Sequence, residues 1–204
     1  MGKSNSGDTE MREAFFKRET KETKIEVYIR FEGKGEGKID TGIGFFDHML
    51  ENFARHGLFD LKVKVDGDLH VDAHHTVEDT GITLGEAFKK ALTEKKGIKR
   101  SGFFIFPMDE SLSLVSVDIS GRPFVNFDYK FSNPKLGEFD TELVKEFLNG
   151  LARGLGMTVH VKVLNGENTH HIIESIFKAL GRALKEAVEL VPGINEVPST
   201  KGVI

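Results

Sequence analysis

Hydrophobic and polar positions alternate along Thr23–Phe31, with Ile25, Val27, Ile29 and Phe31 on one face and Glu26, Tyr28 and Arg30 on the other. Period-two alternation predicts a half-buried strand. Gly33, Gly35 and Gly37 mark a turn into a second short strand. Over Phe45–His56 the period changes: Phe46, Met49, Leu50 and Phe53 recur at helical spacing, with Gly57 placed as a C-terminal stop. Leu58–Val65 predicts a strand, Gly67 its turn, and Val77–Leu92 a long helix. The chain then repeats itself. Phe103–Phe106, Leu112–Ile119 and Phe124–Phe131 are strand-like, Glu142–Leu155 is helical up to Gly156, Thr158–Leu164 is a strand turning at Asn165-Gly166, and Ile172–Val188 is a helix. The order strand-strand-strand-helix-strand-helix is thus expected twice.

Residue identities support a duplication. Placing His74 on His170 also aligns Leu84 with Leu180, Gly85 with Gly181, Ala87 with Ala183, Lys89 with Lys185 and Ala91 with Ala187. Alanine, leucine and lysine recur in any helix because they are good helix formers; an aligned His-His pair, Glu and Gly do not follow from propensity. The predicted fold class is α+β, in two similar halves over residues 11–98 and 99–204, each a small sheet with two helices on one face. Residues 1–10, polar and glycine-containing, are expected to form a disordered leader.

Composition narrows the function. A net charge of −4 with no basic run gives no footprint for nucleic acid. No cysteine is present, so disulfides and thiolate chemistry are excluded. No apolar run approaches the ~20 residues of a membrane span, and no signal-peptide core opens the chain. The expected location is therefore the cytoplasm, with no membrane partner.

The candidate chemistry lies in a pattern that occurs twice: His74-His75-Thr76-Val77-Glu78 and His170-His171-Ile172-Ile173-Glu174. Positions four apart share a helical face, while neighbours diverge by roughly 100°. His74 can therefore converge with Glu78, and His170 with Glu174, while His75 and His171 point elsewhere. Adjacent histidines on a rigid element are suited to two ions rather than one. Each ion can take a His-x-x-x-Glu pair from one copy and the odd histidine from the other, so the copies are two halves of a shared site. His48 and His160 are candidate further ligands, giving three histidines and one glutamate per ion; His56 and His70 match neither pattern. Four protein ligands with open positions favour five- or six-coordinate Mn²⁺ or Fe²⁺ over closed tetrahedral zinc. Asp72 and Asp79 flank the first copy and can either orient imidazoles or cap the helix.

The segments Phe46-Asp47-His48-Met49-Leu50, Asp72-Ala73-His74-His75-Thr76-Val77-Glu78-Asp79, Pro107-Met108-Asp109-Glu110, Ser120-Gly121-Arg122-Pro123, Gly166-Glu167-Asn168-Thr169-His170-His171 and Pro198-Ser199-Thr200-Lys201-Gly202 follow one another in order. Through them the chain resembles the imidazoleglycerol-phosphate dehydratase family of histidine biosynthesis, from Glu22 to Ile204. The resemblance implies a lyase with two Mn²⁺ per active site that dehydrates D-erythro-imidazole glycerol phosphate to imidazole acetol phosphate. It implies a catalytic, substrate-contacting role for Glu22 as proton shuttle, with Glu78 and Glu174 at the metals. Arg100, Arg122, Lys178, Ser199 and Lys201 match the positions that hold the substrate phosphate. The implied assembly is a homo-oligomeric 24-mer built from trimers, with metal ligands from more than one subunit. One departure is Asn52, where the family pattern leads us to expect glutamine. Two other functions fit parts of the ligand set: a dinuclear metallohydrolase acting on a phosphate ester, and a non-enzymatic metal-storage protein, which leaves Glu22 and the Ser199–Lys201 tail without a role.

Overall fold

A computed structural model describes residues 11–204; the expected leader over residues 1–10 lies outside them. The first half runs β1 (Glu13–Glu19), β2 (Thr23–Arg30), β3 (Gly37–Asp40), α1 (Gly44–Gly57), β4 (Asp60–Gly67) and α2 (His74–Leu92). The second runs β5 (Ser101–Met108), β6 (Ser111–Asp118), β7 (Phe124–Asn126), a small hairpin β8 (Lys135–Leu136) and β9 (Phe139–Asp140), α3 (Leu143–Leu155), β10 (Thr158–Asn165) and α4 (Thr169–Val188). The sheets have orders β1-β2-β4-β3 and β5-β6-β10-β7. In both, the last strand pairs parallel and the others antiparallel. The duplication is therefore structural, and the fold is α+β with two helices on each sheet.

Several boundaries differ from the periodicity. The first strand, β1, was not located by pattern, because only Ala14 on it is fully buried. Phe124–Phe131 shortens to three residues: Phe127, Tyr129 and Phe131 leave the sheet and pack against one another instead. Helices α2 and α4 begin about one turn before their first apolar positions, because polar caps start them. Asp72 Oδ1 accepts from His74 N at 2.7 Å, and Asn168 Oδ1 accepts from His170 N and His171 N at 2.9 and 3.2 Å.

The inner sheet faces (Ile25, Val27, Ile29, Leu61 and Val63 on the first; Val115, Val117, Val159 and Val161 on the second) are buried against the helices. The outer faces differ. On the first sheet Lys17, Glu26, Tyr28, Lys62 and Lys64 make a solvated surface, while the second exposes Phe103, Ile105, Phe124 and Leu164.

The halves join helix against helix, α1 on α4 and α2 on α3. Glycine makes this possible. A Cβ on Gly150 would lie 2.4 Å from the Glu78 carbonyl oxygen, and one on Gly154 would lie 2.2 Å from that of Ile82. Gly81 and Gly85 meet the α3 backbone in return. Gly57 has the same role rather than the helix-stop role expected for it. The left-handed residue after α1 is Leu58, at φ 54°, and a Gly57 Cβ would strike the Phe59 ring and approach the Gly181 carbonyl.

Helix propensity alone credits Gly154→Ala with about 1 kcal/mol of stabilisation. Backbone contact reverses the sign: overpacking of about 1–3 kcal/mol is expected. Urea unfolding of the variant should show a lower midpoint; a raised one would mean that the helices separate freely.

Candidate metal centre

The first residues of α1 and α4 meet at one point. His48 Nε2 lies 3.6 Å from Glu174 Oε2, and His170 Nε2 lies 3.0 Å from the same oxygen. The three candidate ligand atoms fall within 4.8 Å of one another. Glu174 is buried, with Oε1 held at 2.7 Å by Lys178 Nζ. Burial pushes its carboxyl up, but Lys178, His170 and His48 outweigh that and leave it below the usual carboxylate range. The group is an anion held under a cation, with one oxygen facing two imidazoles. That donor set suits a divalent ion.

The first copy shows the related arrangement. His74 Nε2 is 3.8 Å from Glu78 Oε2, and Glu78 Oε1 takes Arg153 Nη1 at 3.2 Å. The internal repeat shows what stands in for His48. Gly181 packs on the backbone of Phe53 and Gly57, and its counterpart Gly85 packs on Leu151 and Leu155. The α3 residues lie 98 positions after their α1 counterparts in both cases. The same offset carries His48 to Glu146, on the first turn of α3. Glu146 thus stands at the repeat position of His48, although among the described residues it forms no three-ligand group with His74 and Glu78.

His160 is placed elsewhere. It lies on the outer face of β10, with Nδ1 3.2 Å from the Asn126 carboxamide and its ring near Phe124. Within one chain it joins neither cluster.

Adjacent histidines diverge as the helical geometry requires, with ring planes at 85° for His74 and His75 and 83° for His170 and His171. His75 Nδ1 meets Asp68 Oδ2 at 2.9 Å, and its Nε2 is 3.8 Å from Glu22 Oε1 on the β1–β2 turn. His171 Nδ1 meets Glu110 Oε2 at 2.8 Å, and its Nε2 is 3.8 Å from Asp109 Oδ2 on the β5–β6 turn. Asp68 raises the pKa of His75, and Glu110 raises that of His171. Among the described residues no hydrogen bond or ion pair joins the two copies. Asp72, which precedes the N-cap Ala73, accepts from His74 N at the start of α2. Asp79 binds Arg18 at 3.2 Å and Thr23 Oγ1 at 2.6 Å, so neither orients an imidazole by hydrogen bond. Asn52 folds back on its own helix, with Nδ2 3.3 Å from His48 Nε2 and 3.0 Å from the His48 carbonyl oxygen.

The expected phosphate residues separate. Lys178 stands beside Glu174. Arg100 lies at the other end of α4, where its backbone N donates to the Ala187 carbonyl; its side chain takes Asp118 at 2.7 and 3.0 Å and the Pro198 carbonyl at 2.8 Å. That last bond pins the tail carrying Ser199 and Lys201. Exposed Arg122 lies on the turn after β6, beside the tail's last residue through Gly121. From His171 to Ala187 is about 24 Å of helix rise.

The sequence profile of the imidazoleglycerol-phosphate dehydratase family (IGPD) matches residues 41–184. The chain is 60% identical over 187 residues to the imidazoleglycerol-phosphate dehydratase of Clostridium botulinum, covering 92% of this chain and 95% of that one. It is 59% identical over 195 residues to that of Clostridium acetobutylicum, covering 96% and 99%. A crystal structure of IGPD from Pyrococcus furiosus superposes with a TM-score of 0.80 at 46% identity, over 92% of this chain and 99% of that one. The Staphylococcus aureus enzyme gives 0.79 at 38%, over 88% and 99%.

Protonation competes with metal for imidazole nitrogen. Loading should fall as pH drops through about 6.5, with His75 and His171 protonating first because their pKa values are raised. Full metal content at pH 5, measured by elemental analysis, would exclude an imidazole-based centre. In metal-free protein the His171–Glu110 pair has the opposite limit. Its histidine contribution is complete below pH ~6.5 and is lost as pH rises through the raised value. Glu110, depressed by His171, contributes above its unfolded value and loses this only in strong acid. Melting temperature against pH for wild type and Glu110→Gln should diverge most between those limits.

Proposed function

The chain belongs to the imidazoleglycerol-phosphate dehydratase family of hydro-lyases, and from that premise we propose that it converts D-erythro-imidazole glycerol phosphate to imidazole acetol phosphate with two Mn²⁺ per active site. The observation that carries this reading is the His48–His170–Glu174 cluster beside Lys178, an imidazole-rich donor set with a charge-fixed carboxylate. We assign one ion to that cluster and the second to His74 and Glu78, with Glu146 in the symmetric place of His48. His75 and His171 complete the two sets. His160 reaches an ion only if another subunit brings it there.

Divalent ions held by His48, His170 and Glu174 and by His74 and Glu78 would supply Lewis acidity, which would ease loss of hydroxide and of a carbon-bound proton from the imidazole substrate. The chain's own groups supply the rest. Glu22 is exposed on the β1–β2 turn, close to His75 Nε2, where its carboxylate can take and return the proton. Lys178 keeps Glu174 ionised and turned towards His170. Arg100, Arg122, Ser199 and Lys201 bind the phosphate at the far end of the second sheet. Because helix rise alone puts about 24 Å between the two ends, the phosphate and metal ends of one active site are supplied by different subunits. This supports the homo-oligomer, a 24-mer of trimers, with ligands shared between chains.

Ketone formation with phosphate retained is expected on the imidazole substrate. Release of inorganic phosphate would instead identify a metallohydrolase. Glu22→Gln should lower kcat by about 10²–10⁴ with metal content unchanged, whereas His48→Ala should remove metal and activity together.

A further inference from the structure

His75 and His171 differ from their neighbours in how they are held. His74 and His170 lean on glutamates of their own helices, whereas His75 and His171 each present Nδ1 to a carboxylate brought from elsewhere. The two carboxylates have different origins. Asp68 follows β4, seven residues before His75; the residue seven before His171 is Leu164, which offers no acceptor side chain. In the second half the carboxylate comes instead from Glu110, on the β5–β6 turn. Two routes through the fold deliver the same chemical group to the same ring atom. Inheritance from one ancestral half does not produce that; a shared requirement at Nδ1 does.

Glu110 is held at its carboxylate before it reaches the ring, and Asp68 at its backbone. Glu110 Oε1 accepts from Asn168 N at 2.8 Å, Glu167 N at 3.3 Å and Ser111 Oγ at 3.0 Å, which leaves Oε2 for His171. The backbone of Asp68 donates to the Glu22 carbonyl at 3.1 Å, so Asp68 is tied to the turn that carries Glu22. An ionised carboxylate only accepts hydrogen bonds. The proton of a neutral ring must then sit on Nδ1, and the Nε2 lone pair is free. Outer carboxylates hold ligating imidazoles in this way.

We propose that Asp68 and Glu110 are positioning residues that fix the ring orientation and tautomer of His75 and His171, so that each offers Nε2 to a metal ion. The inference rests on the reading that these two histidines are ligands. It adds what makes them competent: removing the carboxylate leaves the ligand present but wrongly protonated.

The experiment compares Mn²⁺ affinity, by chelator competition and elemental analysis on assembled protein, for Glu110→Gln, Asp68→Leu, His171→Ala and His75→Ala. In Glu110→Gln the loop N–H groups keep the amide oxygen, so its NH₂ faces Nδ1 and selects the tautomer protonated on Nε2. Mn²⁺ affinity at one site should fall about 10–100-fold, with the metal-free protein still unfolding in urea as one cooperative transition. In Asp68→Asn no loop N–H group holds the side chain among the described residues, so its amide can turn either atom to Nδ1; Asp68→Leu, which removes the acceptor, should give the same loss at the site that uses His75 and decides the matter if Glu110→Gln folds poorly. If both alanine variants lose metal while Glu110→Gln and Asp68→Leu bind with wild-type affinity, the positioning role is overturned and the ligand assignment stands. If the alanine variants keep full metal, the ligand assignment fails and the proposal fails with it.

Discussion

Backbone-to-backbone contact between helices of opposite halves is the constraint on which the rest of this molecule depends. Gly150 and Gly154 on α3 lie against the carbonyls of Glu78 and Ile82, and Gly181 on α4 lies against that of Phe53. Side chains of any size there would part the helices. The contacts lie within a few turns of the metal-binding side chains, so the spacing that glycine permits is also the spacing at which His48 reaches Glu174. Stability and site geometry are set by the same atoms.

Above that junction the charges are arranged so that each imidazole meets an acid. Glu174 is the most constrained of these: burial opposes its charge, and Lys178 restores it. In the loops the order of influence differs, because Asp68 and Glu110 raise the pKa of the histidines they meet. Burial and Lys178 act the other way on His56, lowering its pKa against the Phe106 ring, so this histidine is kept neutral as a packing group.

Much of this was legible in the sequence, and for a physical reason. Period-two and period-3.6 patterns mark sheet and helix wherever one face is buried, and the repeated His-His-x-x-Glu marks the duplication. The losses are equally physical. β1 buries too little to show a period, and the aromatic run after Phe124 alternates without pairing. At the site, divergence of adjacent histidines follows from helix geometry alone, whereas their partners do not. Asp68 and Glu110 come from other elements, and no spacing rule connects them to His75 and His171. His160 faces outward by strand alternation, so no pattern within one chain tells what it meets.

Because α1 packs on α4, the His48–His170–Glu174 cluster is built across the seam between halves, and neither half holds it complete. Two free half-length chains would form such clusters only at concentrations that favour their pairing. Joined in one polypeptide, the halves meet at a fixed effective concentration. Joining also releases them from symmetry. A dimer of identical halves must carry the same residue at both equivalent places, whereas one chain can carry His48 at one and Glu146 at the other. The two places thereby differ in charge, and ions bound near them would not be chemically equivalent.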